Sequence, residues 1–189
     1  MASVRWHDWD GNGLEHCVYR DAGDGLILEG VVVGTRHGAY GGYYYVRTDS
    51  AFRTREVRVR YVDGPHLHLE ADGEGNWHDV LKARPLPDLD GCIDVDIGIT
   101  PATNTLPIKR LKLQAEESQD ITVAYVPLLD QIDGDFLPQR AEQRYTCLTP
   151  DRRYRYEGLF RAFTAELEID DTGLVLDYPD TFRRVKMAP

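Results

Sequence analysis

A chain of 189 residues is long enough for one domain that buries roughly 70% of its unfolded surface, and short for two complete cores. Its 32 Asp and Glu against 22 Lys and Arg give a formal net charge of -10, which repels phosphate backbones and argues against a nucleic-acid partner. The basic residues gather only locally, at Arg53 to Arg60, Arg152 to Arg155 and Arg183 to Lys186.

The N-terminal MASVRWHDWDGNG lacks the apolar segment of a secretory signal. Nowhere do about 18 apolar residues run together as a spanning helix requires, so the expectation is a cytoplasmic protein with no transmembrane segment. Cys17, Cys92 and Cys147 are widely spaced and lack a C-x-x-C, which predicts reduced, buried thiols.

Along the chain, apolar residues alternate with polar ones between Gly, Asp, Asn and Pro, the pattern of antiparallel strands with one wet face. Strands are predicted at Glu15 to Arg20, Leu26 to Thr35, Gly42 to Thr48, Phe52 to Val62, His66 to Ala71 and Cys92 to Thr100. Further strands are predicted at Arg110 to Gln114, Ile121 to Pro127, Glu142 to Leu148, Arg152 to Leu159, Phe163 to Ile169, Gly173 to Tyr178 and Phe182 to Val185. Tight turns fall at Asp10-Gly11, Asn12-Gly13, Asp24-Gly25, Asp63-Gly64, Asp72-Gly73 and Asp133-Gly134. In Phe52 to Val62 the apolar parity switches, which predicts a β-bulge near Arg55 or Glu56.

Helix is plausible in only two short places, Leu106 to Leu113, with Asn104 or Thr105 as N-cap and Pro107 in the first turn, and Leu128 to Asp133. So many strands with so little helix predict an all-β, predominantly antiparallel roll or half-barrel as a single domain over residues 1–189, with the segment around Leu106 as a cover.

Candidate chemistry concentrates in GCIDVDIGITPATNTLPIKRL, Gly91 to Leu111. Ile93, Val95, Ile97 and Ile99 share one strand face and leave Asp94, Asp96 and Thr100 on the other. Two carboxylates at i and i+2, within about 7 Å, suit a general acid and base pair or a hard cation, and equally a solvated face paired with Arg or Lys. His66 and His68 form an H-x-H without a second histidine motif after His78. Asp8, Asp10 and Asn12 begin like a calcium loop but lack the closing Glu, so an ordinary turn is the simpler reading. There is no G-x-S-x-G, P-loop or G-x-G-x-x-G, and nothing calls for a metal or cofactor. The eleven tyrosines, among them Tyr125, Tyr145 and Tyr156 on predicted strands, offer apolar rings with polar tips suited to a ligand wall or to half-buried packing.

The segments GCIDVDIGITPATNTLPIKRL, Ile121 to Val126, Gln143 to Leu148, Arg153 to Gly158 and Gly173 to Val185 together resemble the bacterial family described as putative glycolipid-binding proteins. The resemblance spans nearly the whole chain, and its most specific part is D-x-D-x-x-x-T-P-x-T-N-T-L-P-I from Asp94 to Ile108. It implies a spiral β-roll or half-barrel around an apolar space, similar in shape to lipoprotein carriers, and no catalytic residues. It marks Asp94, Asp96, Thr100, Thr103, Asn104, Thr105 and Arg110 as candidate functional positions. The expected partner is a small glycolipid-like amphiphile, with its apolar part in the roll and its head near Thr103, Asn104 and Thr105. The alternative is an enzyme acting on a sugar-like substrate through Asp94 and Asp96.

Overall fold

A computed structural model describes residues 1–185; Lys186, the end of the C-terminal basic cluster, lies outside the described residues. In chain order the elements are β1 (Ala2–Asp8), β2 (Leu14–Asp21), β3 (Leu26–Gly34), β4 (Tyr40–Thr48), β5 (Thr54–Tyr61), β6 (His66–Ala71), β7 (Trp77–Asp79) and β8 (Arg84–Pro85). There follow β9 (Asp94–Ile97), α1 (Thr105–Leu111), β10 (Ser118–Val126), β11 (Gln139–Thr149), β12 (Arg153–Gly158), β13 (Phe163–Glu168), β14 (Asp177–Tyr178) and β15 (Phe182–Arg184).

The strands form two sheets. One is a ten-stranded curled half-barrel in the order β14-β15-β1-β2-β3-β4-β5-β6-β7-β8, and the other has the order β13-β12-β11-β10-β9. Nearly every neighbouring pair is antiparallel, as the alternation predicts. The exception is β9 beside β10, which run parallel with Asp94 opposite Val123 and Asp96 opposite Tyr125. A parallel pair needs a crossover to carry the chain back to the start of the second strand. That crossover is the stretch 98–117, and α1 is its helix.

This connectivity overturns one predicted strand. Arg110 to Gln114 is not extended; Arg110 and Leu111 close α1, and Lys112 stops it in a left-handed conformation at φ 50°. The second predicted helix shrinks to a single 3-10 turn at Leu129–Gln131. The bulge falls where parity predicts it: Arg47 faces Glu56 while Thr48 faces Thr54, so Arg55 is the extra residue, and its Nε donates to the Ala71 carbonyl at 3.0 Å.

Strand β1 was not predicted, because ASVRWHD places only Val4 and Trp6 among its inward positions, and the third is Asp8. Asp8 is nonetheless buried, accepting from the Thr35 amide at 2.9 Å and its hydroxyl at 3.0 Å. A Cβ on Gly13 would stand 2.1 Å from that carboxylate, so glycine is required there. The turn between them is an ordinary one, Asp10 accepting from the Asn12 amide.

Between the sheets lies one continuous core that includes Trp6, Leu28, Tyr44, Val57, Ile97, Ile99, Leu106 and Leu167. The concave side of the half-barrel is therefore filled by side chains, not by open apolar space. All three cysteines are free and buried. His66 is exposed, His68 lies 3.0 Å from Glu56, and among the described residues no cluster of three His, Cys, Asp or Glu is disposed to hold a metal. Among them too, no helix is long and apolar enough to cross a membrane.

Trp6 joins the two ends of the chain. Its ring is fully buried and its Nε1 donates to the Val175 carbonyl at 2.8 Å, while β1 pairs with β15 on its other side. Trp6→Phe keeps most of the ring and removes that donor, while the Val175 carbonyl still accepts from Arg184 at 2.7 Å, so urea titration is expected to show a loss of about 1 kcal/mol.

Candidate functional site

The stretch after β9 folds back over the strand that precedes it. Thr103 accepts from the Ile97 amide at 3.2 Å and points its hydroxyl at Asp96 Oδ1 from 3.5 Å. Arg110 reaches Asp94 with two parallel arms, Nε to Oδ1 at 3.1 Å and Nη2 to Oδ2 at 2.6 Å. Asp94 is 0% exposed and Arg110 21%, so the acidic face of β9 is covered by its own crossover and not by water. Burial pushes the Asp94 carboxyl up from its ordinary range while Arg110 pulls it back.

The two carboxylates thus have different surroundings. Asp96 accepts from Gln143 Nε2 at 2.7 Å, a residue two strands away that reaches across β10. It is half-buried, and burial pushes its carboxyl up with Gln143 opposing. Asp96 alone of the pair opens onto a cavity of about 750 Å³ between the five-stranded sheet and the β14–β15 edge of the half-barrel. Asp94 takes no part in its lining, which removes the shared acid and base arrangement.

The cavity floor is polar: Asp96, Thr100 and Asn104 lie there, with Gln131 beside them. Its walls are aromatic and form two arms. One runs Tyr156, Tyr178, Phe182 with successive ring centroids 5.9 and 6.3 Å apart, and Phe163 packs against Tyr156 and Tyr178. The other is Tyr125 against Phe160 at 5.5 Å. Arg36 lies over Phe182 at 4.7 Å, and Arg161 lies over Tyr125 at 4.3 Å and Phe160 at 4.8 Å. Gly98 allows the close approach of these parts, since a Cβ there would meet the Tyr125 hydroxyl at 2.8 Å.

Of the ten positions singled out from sequence, Asp96, Thr100, Asn104, Tyr125 and Tyr156 line the cavity. Tyr145 stands one layer below and donates to Asn104 Oδ1 at 2.8 Å, fixing that amide. Thr103 supports Asp96, and Thr105 is turned away, its buried hydroxyl donating to the Gly173 carbonyl at 2.9 Å. Asp94 and Arg110 hold each other. The segment around Leu106, expected as a cover, is buried as a plug, with Ala102, Thr105 and Leu106 at 0% exposure. Arg36, Phe160, Arg161, Phe163, Tyr178 and Phe182 are further lining residues that sequence reasoning did not single out; Tyr178 and Phe182 stand in the C-terminal segment of the resemblance, whereas the arginines sit in turns with no local pattern.

The sequence profile of a family described as "Putative glycolipid-binding" matches residues 3–184. The chain belongs to this family. A crystal structure of a DUF1089 family protein from Pseudomonas aeruginosa is similar over 92% of both chains, with 35% identity and a TM-score of 0.76. Curated proteins give no match.

In this glycolipid-binding family member the cavity floor rests on a buried acid. Thr100 accepts from the Ala102 amide at 3.0 Å and donates to Glu15 Oε1 at 2.7 Å; the Tyr44 hydroxyl donates to the same oxygen at 2.5 Å. Glu15 is 1% exposed, and its Oε2 has no hydrogen-bond partner among protein atoms. Burial outweighs the two hydrogen bonds and pushes its carboxyl up to about 8.

Two outcomes follow for the family member's stability. Between the unfolded value near 4.5 and the folded value of about 8, the unfolded chain has released the Glu15 proton and the folded chain retains it, so stability falls as pH rises. The difference between wild type and Glu15→Gln is expected to change by about 1.4 kcal/mol per pH unit across that window, read from denaturation at a series of pH values. Arg110→Leu strands a buried carboxylate and is expected to lower stability by about 3 kcal/mol, the lower end for a buried pair because Arg110 keeps some solvent. Adding Asp94→Leu is expected to return much of that loss in the same titration.

Proposed function

We propose that this protein is a binding protein for a glycolipid-like amphiphile whose sugar head enters the cavity between the sheets. The observation that carries this reading is the lining itself, in which flat aromatic faces flank a floor of hydrogen-bonding groups already fixed by their neighbours. A sugar ring has just those two surfaces, an apolar C–H face and a rim of hydroxyls. A volume of about 750 Å³ lies within the usual range for small-molecule sites. Asp96 accepts from sugar hydroxyls, Asn104 and Thr100 exchange hydrogen bonds with others, and the rings of Tyr125, Tyr156 and Tyr178 stack. The half-barrel interior is packed, so the apolar tail lies outside it, along the half-exposed Leu159 and Phe160 at the cavity mouth. Asp94, Thr103, Thr105, Arg110 and Tyr145 serve this site by positioning the lining residues. The enzymatic alternative lacks its second carboxylate, because Asp94 is engaged with Arg110.

Native mass spectrometry and lipid extraction of the freshly purified protein are expected to show a sugar-bearing amphiphile. In calorimetric titration, octyl β-glucoside is expected to bind saturably below its micelle concentration, and Tyr156→Ala and Asp96→Asn to weaken it about tenfold or more. The absence of both a co-purified amphiphile and saturable binding would overturn the reading.

A further inference from the structure

Each aromatic arm of the cavity ends in a guanidinium. Arg36 donates Nη1 to the Gly98 carbonyl at 2.9 Å and lies over Phe182; Arg161 donates Nη2 to Gln131 Oε1 at 3.0 Å and lies over both Tyr125 and Phe160. Both partners are neutral. Most other arginines of the chain face a carboxylate, as Arg20, Arg47, Arg53, Arg58, Arg84, Arg144 and Arg184 do. Among the described residues, Arg36 and Arg161 have no carboxylate within 4.0 Å, although Asp96 and Asp180 line the same cavity. A guanidinium has five N–H donors, and each of these shows one engaged with a protein acceptor. They are held in place by stacking and still carry a full positive charge with donors to spare.

The floor has the opposite character. Asp96 is already held by Gln143 and Thr103, and it bears on the ionisation balance of the site from below both guanidiniums. Asp180 is exposed at the rim. A cationic head would find the terminal aromatic faces occupied by Arg36 and Arg161, and it would meet two like charges. A neutral sugar would leave the spare guanidinium donors without an anionic partner at hydrogen-bond distance.

We infer that the preferred ligand is an anionic sugar head, bearing a carboxylate or a phosphate, which Arg36 and Arg161 hold at the cavity mouth while its hydroxyls reach Asp96. This rests on the reading of the cavity as a headgroup site and adds the charge and the orientation of what it takes. Separation of the acidic floor from the basic mouth allows one way in: hydroxyls first, anion outermost.

Calorimetric titration at low salt with a matched pair, octyl β-glucuronide and octyl β-glucoside, tests it. The glucuronide is expected to bind about tenfold or more tightly, a preference that narrows as salt is raised. In Arg36→Gln and Arg161→Gln the affinity ratio of the two is expected to fall, and in the double variant to approach one; a ratio cancels any general weakening of the site. Arg161→Lys, which keeps the charge and loses the planar fork, is expected to retain part of the preference. Equal affinities in the wild type overturn the inference and leave the headgroup reading standing, whereas binding of neither amphiphile overturns both. Inorganic phosphate that binds as tightly as the glucuronide overturns the sugar part. Free glucuronic acid that binds as tightly as its octyl glycoside supports the anion subsite and overturns the lipid source.

Discussion

The paired contact between Asp94 and Arg110 pins the crossover that joins the two parallel strands of the five-stranded sheet. A buried carboxylate in the middle of a strand is costly unless a partner neutralises it, and the partner here is sixteen residues downstream at the end of α1. The pair therefore fixes where the crossover must land. Once Arg110 is on Asp94, Thr103 falls on Asp96 and the Ile97 amide, Asn104 meets Tyr145, and Leu106 enters the core. A buried ion pair adds less to stability than apolar residues of the same volume would, so its value lies in selecting one register for the connector. The hydrogen bonds that define the floor of the cavity are consequences of that register.

The site combines two sources of rigidity. Its polar groups come mainly from β9 and the crossover, fixed by Gln143, Tyr145 and Glu15 as well as by Thr103, and its aromatic groups come mainly from the strands and turns of both sheets. Each ring leans on another, from Tyr145 through Tyr156 and Tyr178 to Phe182. A ligand entering such a site has few side chains to order, which lowers the entropic penalty of binding. With the half-barrel interior already packed, the cavity between the sheets is the larger space open to a ligand.

Much of the fold was legible in the chain. Period-two alternation locates most strands, and the parity switch between Phe52 and Val57 locates the bulge at Arg55. The errors share a cause: alternation tells which residues lie on one face but not what covers that face. Alternation leaves Asp94 and Asp96 open between a functional pair and a solvated face because their cover, Arg110 and Thr103, lies on the next element, and β1 escapes the pattern because the buried Asp8 takes an inward place usual for an apolar residue. Part of the cavity, namely Asp96, Thr100, Asn104, Tyr125 and Tyr156, was within reach through the D-x-D run and the tyrosines. Arg36 and Arg161 were not, since an arginine in a turn has no neighbour in sequence that marks it as facing inward.

The pairing of β15 with β1 has a bearing on how the protein is made. Strand β1 is made long before β15, so one of its edges stays open until Phe182–Arg184 arrives, and Trp6 waits for Val175. Tyr178 and Phe182, which close one wall of the cavity, come in the same last stretch. Contacts of such long sequence separation form late. A nascent chain that lacks this stretch therefore has no complete cavity, and capture of any ligand waits until it has been made.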